Sequence, residues 1–190
     1  MHDDPRVVRS KATILAATAE LLSQEGFGGV SIEAVAARSG AAKTTIYRHW
    51  PNRDALVIEA FGLCCGPPDG ERDTGSLRSD LEQILTGLAS FLRAEGSCAS
   101  LQSLADAARR DPELAGLHTA FIAERRRPLV EALERGVERG ELPGGMDIDD
   151  AVSVLVGPFF YRAMVSFEPL DDDFVTTVID GALHVVGATA

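Results

Sequence analysis

Cysteine is scarce in this chain: three in 190 residues, two of them adjacent at Cys64 and Cys65. That excludes a disulfide framework, and no His/Cys ligand spacing accompanies them, so no metal site is expected. Long apolar runs are missing as well. The longest mostly apolar stretch, 151–161, contains Ser153 and falls short of the roughly 20 residues of a membrane-spanning helix. The opening MHDDPRVVRSK lacks the apolar core of an export signal, which makes the cytoplasm the expected compartment and a membrane partner unexpected. HExxH, GxSxG, P-loop and dinucleotide fingerprints are all absent. His118 and His184 fall on helical patterns without an evident nucleophile or paired carboxylates. Neither enzymatic activity nor a cofactor is expected. What remains is an ordinary soluble composition, 45% hydrophobic and 25% charged. The length suffices for one large domain, or for a small one fused to a larger.

Positive charge is also in short supply overall, with a net charge of −11, but it is unevenly placed. Residues 1–53 carry seven Lys/Arg against five Asp/Glu, whereas residues 54–190 carry eleven against twenty-four. A near-neutral head with local basic residues on an acidic body suits contact with DNA through a small patch and repulsion elsewhere. Such a distribution favours a sequence reader over a general nucleic-acid coat.

The stretch 31–50, SIEAVAARSGAAKTTIYRHW, reads as two short helices around a glycine turn. Ser31 is a good N-cap, and Glu33 suits the positive helix end. Ile32, Val35 and Ala36 recur at helical spacing, and Ser39-Gly40 ends the first helix. The second helix, about 42–49, buries Ile46 and leaves Lys43, Thr44, Thr45, Tyr47, Arg48 and His49 as a polar, cationic surface. Two helices around a tight turn, the second rich in phosphate- and base-contacting side chains, describe a helix-turn-helix.

The surrounding pattern is helical throughout, which predicts an all-α fold: a three-helix head carrying the helix-turn-helix, followed by a helical body. Residues 9–24 form the first helix, with Ile14, Leu15, Thr18, Leu21 and Leu22 on one side and Gly26 closing it. Asn52 caps a connecting helix over 53–65, and GPPDGERDTG at 66–75 is the clearest break. The boundary falls near this break: the DNA-binding head is placed at 1–53, and the body at 54–190 with the connecting helix joining the two. Within the body, Pro112 starts a long helix that Pro128 should kink or split and Gly140 stops. A helix over 147–167 is apolar nearly all round, and a last one spans 172–186. A helix apolar on every side must be covered on every side. Two readings of this pair are open. Either it fills the core of one chain, or it forms an isologous four-helix interface with a second copy through Val152, Leu155, Phe159, Val175, Val178, Ile179, Ala182, Leu183 and Val186.

ILAATAELLSQEGFGGVSIEAVAARSG and AAKTTIYRHWPNRDAL together resemble the DNA-binding head of TetR-type transcriptional regulators. The likeness spans about residues 9–61, and RGEL at 139–142 also resembles a turn seen in many members. It implies a homodimeric regulator, a repressor by the family's usual habit, that binds double-stranded operator DNA and releases it when a small-molecule effector enters the body. The DNA-facing set is then Ser31, Lys43, Thr44, Thr45, Tyr47, Arg48, His49 and Arg53. Tyr47 and His49 would bond phosphates; Lys43 would take a phosphate or a guanine edge; Thr44 and Thr45 would face the major groove. Arg53 would hold a phosphate, and Arg48 suits either purpose. Ala42 and Thr44 depart from the family's common serine and glycine, the first removing a capping hydroxyl.

For the effector, the apolar stripes suggest a cavity lined by Leu85, Leu88, Phe91, Leu101, Leu104, Phe121, Arg125 and Met164, with a filled core as the alternative. Arg125 stands in register with an apolar stripe, where it can anchor an anionic or carbonyl-bearing effector, pair with a buried acid, or turn to solvent at Pro128. A rival reading makes the chain a thiol-sensing DNA-binding regulator through Cys64, Cys65 or Cys98. A helical enzyme with a DNA-binding head is the remotest.

Overall fold

The computed structural model describes residues 5–64 and 73–185, and among these every regular element is helical. Nine α-helices follow one another: α1 Pro5–Gly29, α2 Ile32–Ser39, α3 Lys43–His49, α4 Arg53–Cys64, α5 Leu77–Arg93, α6 Ser97–Ala108, α7 Pro112–Glu138, α8 Ile148–Tyr161 and α9 Asp172–Val185. A π-helical turn, Arg162–Ser166, extends α8. No helix among the described residues is long and apolar enough to cross a membrane. Cys65, Val186 and most of the 66–75 break lie outside the described residues.

The chain forms two compact units, and neither is a continuous segment. The first combines 5–64 with 95–122, that is α1–α4, α6 and the start of α7; the second combines 73–94 with 123–185. The sequence reading placed a single boundary after residue 53. It could not register that 95–122 return to pack with the head.

In the first unit α1 packs on α2, α4 and α6. Ile14, Leu21, Leu22, Val35, Ile46, Leu56, Val57 and Phe61 are buried there, and Phe121 of α7 stacks against Phe61 at 5.6 Å. Gly26 breaks the helical run of α1 with φ 68°, ψ −178°, a conformation that glycine tolerates and a β-carbon would strain. The break exposes the Phe27 amide, which donates to Ser103 Oγ of α6 at 3.0 Å.

In the second unit α5, α8 and α9 pack together. α5 is strongly amphipathic, burying Leu77, Leu81, Leu85, Ala89 and Leu92 along one side. Asp147 caps α8 by accepting from the Asp150 amide at 3.0 Å, and Asp171 accepts from the Phe174 amide at the start of α9. α7 runs on through Pro128, so the expected split does not occur. The first helix of the apolar pair is α-helical only to Tyr161, and Phe167 ends the π turn in the left-handed region at φ 54°.

The proposed dimer residues need correction. Val152, Leu155, Phe159, Val175, Val178, Ile179 and Ala182 are buried within the chain itself, and Leu183 is half-buried. Phe159 meets Phe174 edge-on at 5.1 Å, so α8 and α9 cover one another's apolar stripes. Periodicity identifies an apolar stripe but not which neighbour covers it. The large apolar side chains left exposed on these elements are Val154, Tyr161, Val165, Phe167 and Val185.

The RGEL segment has a structural role in this unit. Leu77 and Leu142 both close on Gly136, where a β-carbon would come within 3.0 Å of Leu77 Cδ2 and 3.3 Å of Leu142 Cδ1. Glu141 accepts from the Leu77 amide at 2.8 Å, capping α5. Asp80, fully buried, accepts at 2.7 Å from both the amide and the hydroxyl of Thr74, and faces Arg135 at 3.4 Å and Arg139 at 3.7 Å. Burial pushes the Asp80 carboxyl up, but the Thr74 and Arg135 donors outweigh it and hold the group below its ordinary value. A depressed carboxylate stabilises the fold above its unfolded pKa, near 4, and the benefit is lost as pH falls through the folded value. Asp80→Ala should therefore lower unfolding free energy by roughly 3 kcal/mol at neutral pH, as for a buried charge pair stripped of one partner. Denaturant melts of both proteins should show the difference shrinking below about pH 4.

Candidate nucleic-acid interface

The reading helix is built from a capped α2, a glycine turn and a very short α3. Ser31 is extended, at φ −129°, ψ 155°, and its Oγ accepts from the Ala34 amide at 3.1 Å. That matches the capping role expected of it and engages its hydroxyl. Gly40 takes the left-handed conformation, φ 70°, ψ 7°, that ends α2 and reverses the chain. Ala42 is extended at the start of α3 and offers no side-chain cap.

With no cap and only Lys43–His49 to span, α3 depends on what it buries. Ile46 is fully buried and Trp50 is 2% exposed. The Trp50 indole N–H donates to Glu59 Oε2 of α4 at 2.7 Å, and Lys11 of α1 pairs with Glu59 Oε1 at 2.8 Å. Lys11 also lies over the Trp50 ring at 5.8 Å, a cation–π arrangement. These contacts fix the rotation of α3 about its axis, and so decide which side chains point outward.

Outward point Lys43, Thr44, Tyr47 and Arg48, all exposed, with Tyr47 at 54%. Thr45 and His49 are half-buried at the edges of this surface. His49 packs its ring 5.4 Å from Trp50, and its Nε2 is buried with no hydrogen-bond partner among the described residues. Six of the eight sequence-named residues thus share one short helix.

Arg53 does not join them, which corrects the expectation that it holds a phosphate. Its Nε donates to the Val30 carbonyl at 2.5 Å, Nη2 to the Phe27 carbonyl, and Nη1 pairs with Asp54 at 2.6 Å. Its guanidinium also stacks on the Phe27 ring at 4.3 Å. The basic residue at the start of α4 anchors the α1–α2 connection. Sequence position alone cannot tell a cation facing a ligand from one facing its own backbone. The side chain that sequence reading missed is Glu33, taken only as a helix-end acid: its Oε1 lies 2.5 Å from Lys43 Nζ. The opposite charges were visible, but their contact depends on how the turn folds back.

The eight residues expected to line an effector cavity are divided between the units. Leu101, Leu104 and Phe121 belong to the first; Leu85, Leu88, Phe91, Arg125 and Met164 to the second. Leu85, Leu104 and Phe121 are buried core. A concavity of about 380 Å³ in the second unit is lined by Leu92, Arg93, Arg162, Ala163 and residues 167–171, none of the eight. Arg93 and Arg162 there donate to the Leu170 and Pro169 carbonyls, at 2.5 and 2.9 Å. Cys98 is half-buried, and burial pushes its thiol up, away from the thiolate that oxidants attack.

A helix-turn-helix whose second helix is gripped from behind and polar in front defines a DNA-reading head. Comparison with known proteins agrees. Residues 14–60 match the family described as "Bacterial regulatory proteins, tetR family", and residues 71–182 match "Tetracyclin repressor-like, C-terminal domain". The HTH-type transcriptional regulator YdeS of Bacillus subtilis, itself described as uncharacterized, is 32% identical over 98% of this chain and 94% of its own length. The DNA-binding transcriptional repressor TetR of Mycobacteroides abscessus is 30% identical, with 92% of each chain covered. Among solved structures, the TetR family transcription regulator SCO0332 superposes with a TM-score of 0.72 at 31% identity, over 93% of this chain and 97% of that one. The chain belongs to the TetR family of transcriptional regulators.

Two substitutions separate scaffold from interface. Arg53→Ala should lower the melting temperature by several degrees, since it strands two carbonyls, while leaving the salt dependence of DNA binding unchanged. Ser31→Ala should cost about 1 kcal/mol of stability through the lost cap, measured by chemical denaturation.

Proposed function

We propose that this chain is a ligand-responsive repressor that binds operator DNA as a homodimer and is released by a small-molecule effector. The observation that carries the reading is the outward surface of α3: Lys43, Thr44, Tyr47 and Arg48 exposed together while Ile46 and Trp50 hold the helix from behind. The cations supply phosphate contacts, and the threonines offer a methyl and a hydroxyl to base edges. Tyr47 adds a hydroxyl for a phosphate oxygen. The acidic remainder of the chain limits contact with DNA to this patch.

Dimerisation uses what the single chain leaves uncovered. Val154, Tyr161, Val165, Phe167 and Val185 expose apolar surface on α8, the following turn and α9, and Phe167 is 82% exposed. Exposed apolar surface of this kind suits a self-complementary interface. A dimer presents α3 twice, and two such helices about 34 Å apart enter successive major grooves on one face of the duplex. An effector that binds better to a dimer with another spacing shifts the population away from DNA, by no more than its differential affinity. Several relatives are named repressors, which supports that sign of regulation.

Protection of DNA adjoining the chain's own coding region by the purified protein tests the reading directly. Arg48→Ala should weaken binding to all duplexes and lower the salt slope by about 1, whereas Thr45→Ala should relax preference at one base pair. Indifference to both changes would place the contact surface elsewhere. Val165→Glu with Phe167→Glu should turn a dimer into a monomer in light scattering, with little loss of fold because both side chains are exposed. Persistence of the dimer would locate its interface away from this surface.

A further inference from the structure

Lys43 is the first residue of α3 and Glu33 the second of α2, and the turn at Gly40 folds them into contact. Nζ lies 2.5 Å from Oε1, with the two side chains 52% and 67% exposed. Neither is enclosed, so solvent or a ligand reaches both, and the pair can open without disturbing the core. The hydrogen bond and charge of Lys43 hold the Glu33 carboxyl below its ordinary range, so the acid stays ionised at neutral pH. Arg48, the other exposed cation of α3, has no ion pair among the described residues. One of the two cations that α3 offers to DNA is therefore already occupied.

We propose that Glu33 is a selectivity residue, which engages Lys43 in the DNA-free protein and so weakens attachment to arbitrary sequence more than attachment to a preferred one. The proposal rests on the reading of α3 as the DNA reader. Sequence-independent binding comes almost entirely from cations that meet phosphates and release counterions. A lysine neutralised by a neighbouring carboxylate contributes little to that release, and freeing it for a phosphate means breaking the pair. On arbitrary sequence a single phosphate oxygen is what replaces the carboxylate, an even exchange at best. A preferred sequence can offer more: guanine O6 and N7 present two acceptors on one edge, while Thr44 and Thr45 meet neighbouring bases. The same acid thus subtracts mainly from unwanted binding. Selectivity is a difference between two affinities, and depressing the weaker one raises it as surely as improving the stronger. An exposed pair supports an effect of up to about fivefold.

Plain repulsion between Glu33 and the phosphates would also tighten binding when the acid is neutralised, so a single variant does not separate the two causes. A double-mutant cycle does. Wild type, Glu33→Gln, Lys43→Ala and the double variant are titrated, as full chains, with a random-sequence duplex and with a duplex enriched from a random pool by the wild-type protein. Glu33→Gln is expected to bind the random duplex about three- to fivefold more tightly, with a salt slope steeper by about 0.9. Its gain on the enriched duplex is expected to be smaller. In the Lys43→Ala background the gain from Glu33→Gln should fall below about twofold. An equal gain with and without Lys43, or no gain at all, overturns the proposal. A gain as large on the enriched duplex as on the random one overturns it too. If the wild-type protein enriches no sequence and binds no duplex, the reading of α3 falls first and this proposal with it. Both side chains are exposed and the four proteins should melt alike; Lys43→Gln replaces Lys43→Ala if that variant melts early.

Discussion

Seven residues make a helix with no stability of its own in water, and α3 lacks even a capping side chain. It stays helical because Ile46 and Trp50 are gripped from behind. Trp50 is in turn held through its indole N–H by Glu59, and Glu59 by Lys11, so two other residues of the head converge on one ring. That grip sets the rotation of α3. Without it, Lys43, Thr44, Tyr47 and Arg48 would not share a direction, and a polar face would become a polar loop. The polar face of α3 therefore depends on burial along its opposite side.

The charged groups divide along the same line between inside and outside. Arg53 and Asp80 serve the fold. Arg53 bonds the carbonyls of Phe27 and Val30 where α1 gives way to α2, and Asp80 gathers Thr74, Arg135 of α7 and Arg139 of the RGEL turn. Lys43, Glu33 and Arg48 are exposed and contribute little to stability, which leaves them available for a partner. The serines between α6 and α1 follow the first pattern: Ser103 takes the amide released by the Gly26 break, and Ser100 donates to the Leu22 carbonyl at 3.4 Å. They make α6 part of the packing around the head although it follows α4 and α5 in sequence.

Helix existence was legible almost everywhere, because the apolar period of 3.6 is a local property. Ser31 and Asn52 were readable as caps, and each accepts the amide three residues on, from Ala34 and Ala55. The outward set on α3 was readable as well, since Ile46 and Trp50 mark the opposite side. Pro128 does not split α7, which runs on from Pro112 to Glu138 without the amide that proline lacks. The apolar stripes of α8 and α9 left their cover open, and the structure supplies it from the neighbouring helix of the same chain.

Amino-acid order by itself determined what each segment could become: helices, caps, a glycine reversal, and a basic, threonine-bearing surface within an acidic chain. These follow from interactions that span a few residues. Which groups met was decided only in three dimensions. Arg53 turned to its own backbone, Glu33 reached Lys43, and residues 95–122 joined the head rather than the body. Charge and period say that a side chain needs a partner. Long-range packing chooses the partner, because it alone brings distant segments within bonding distance.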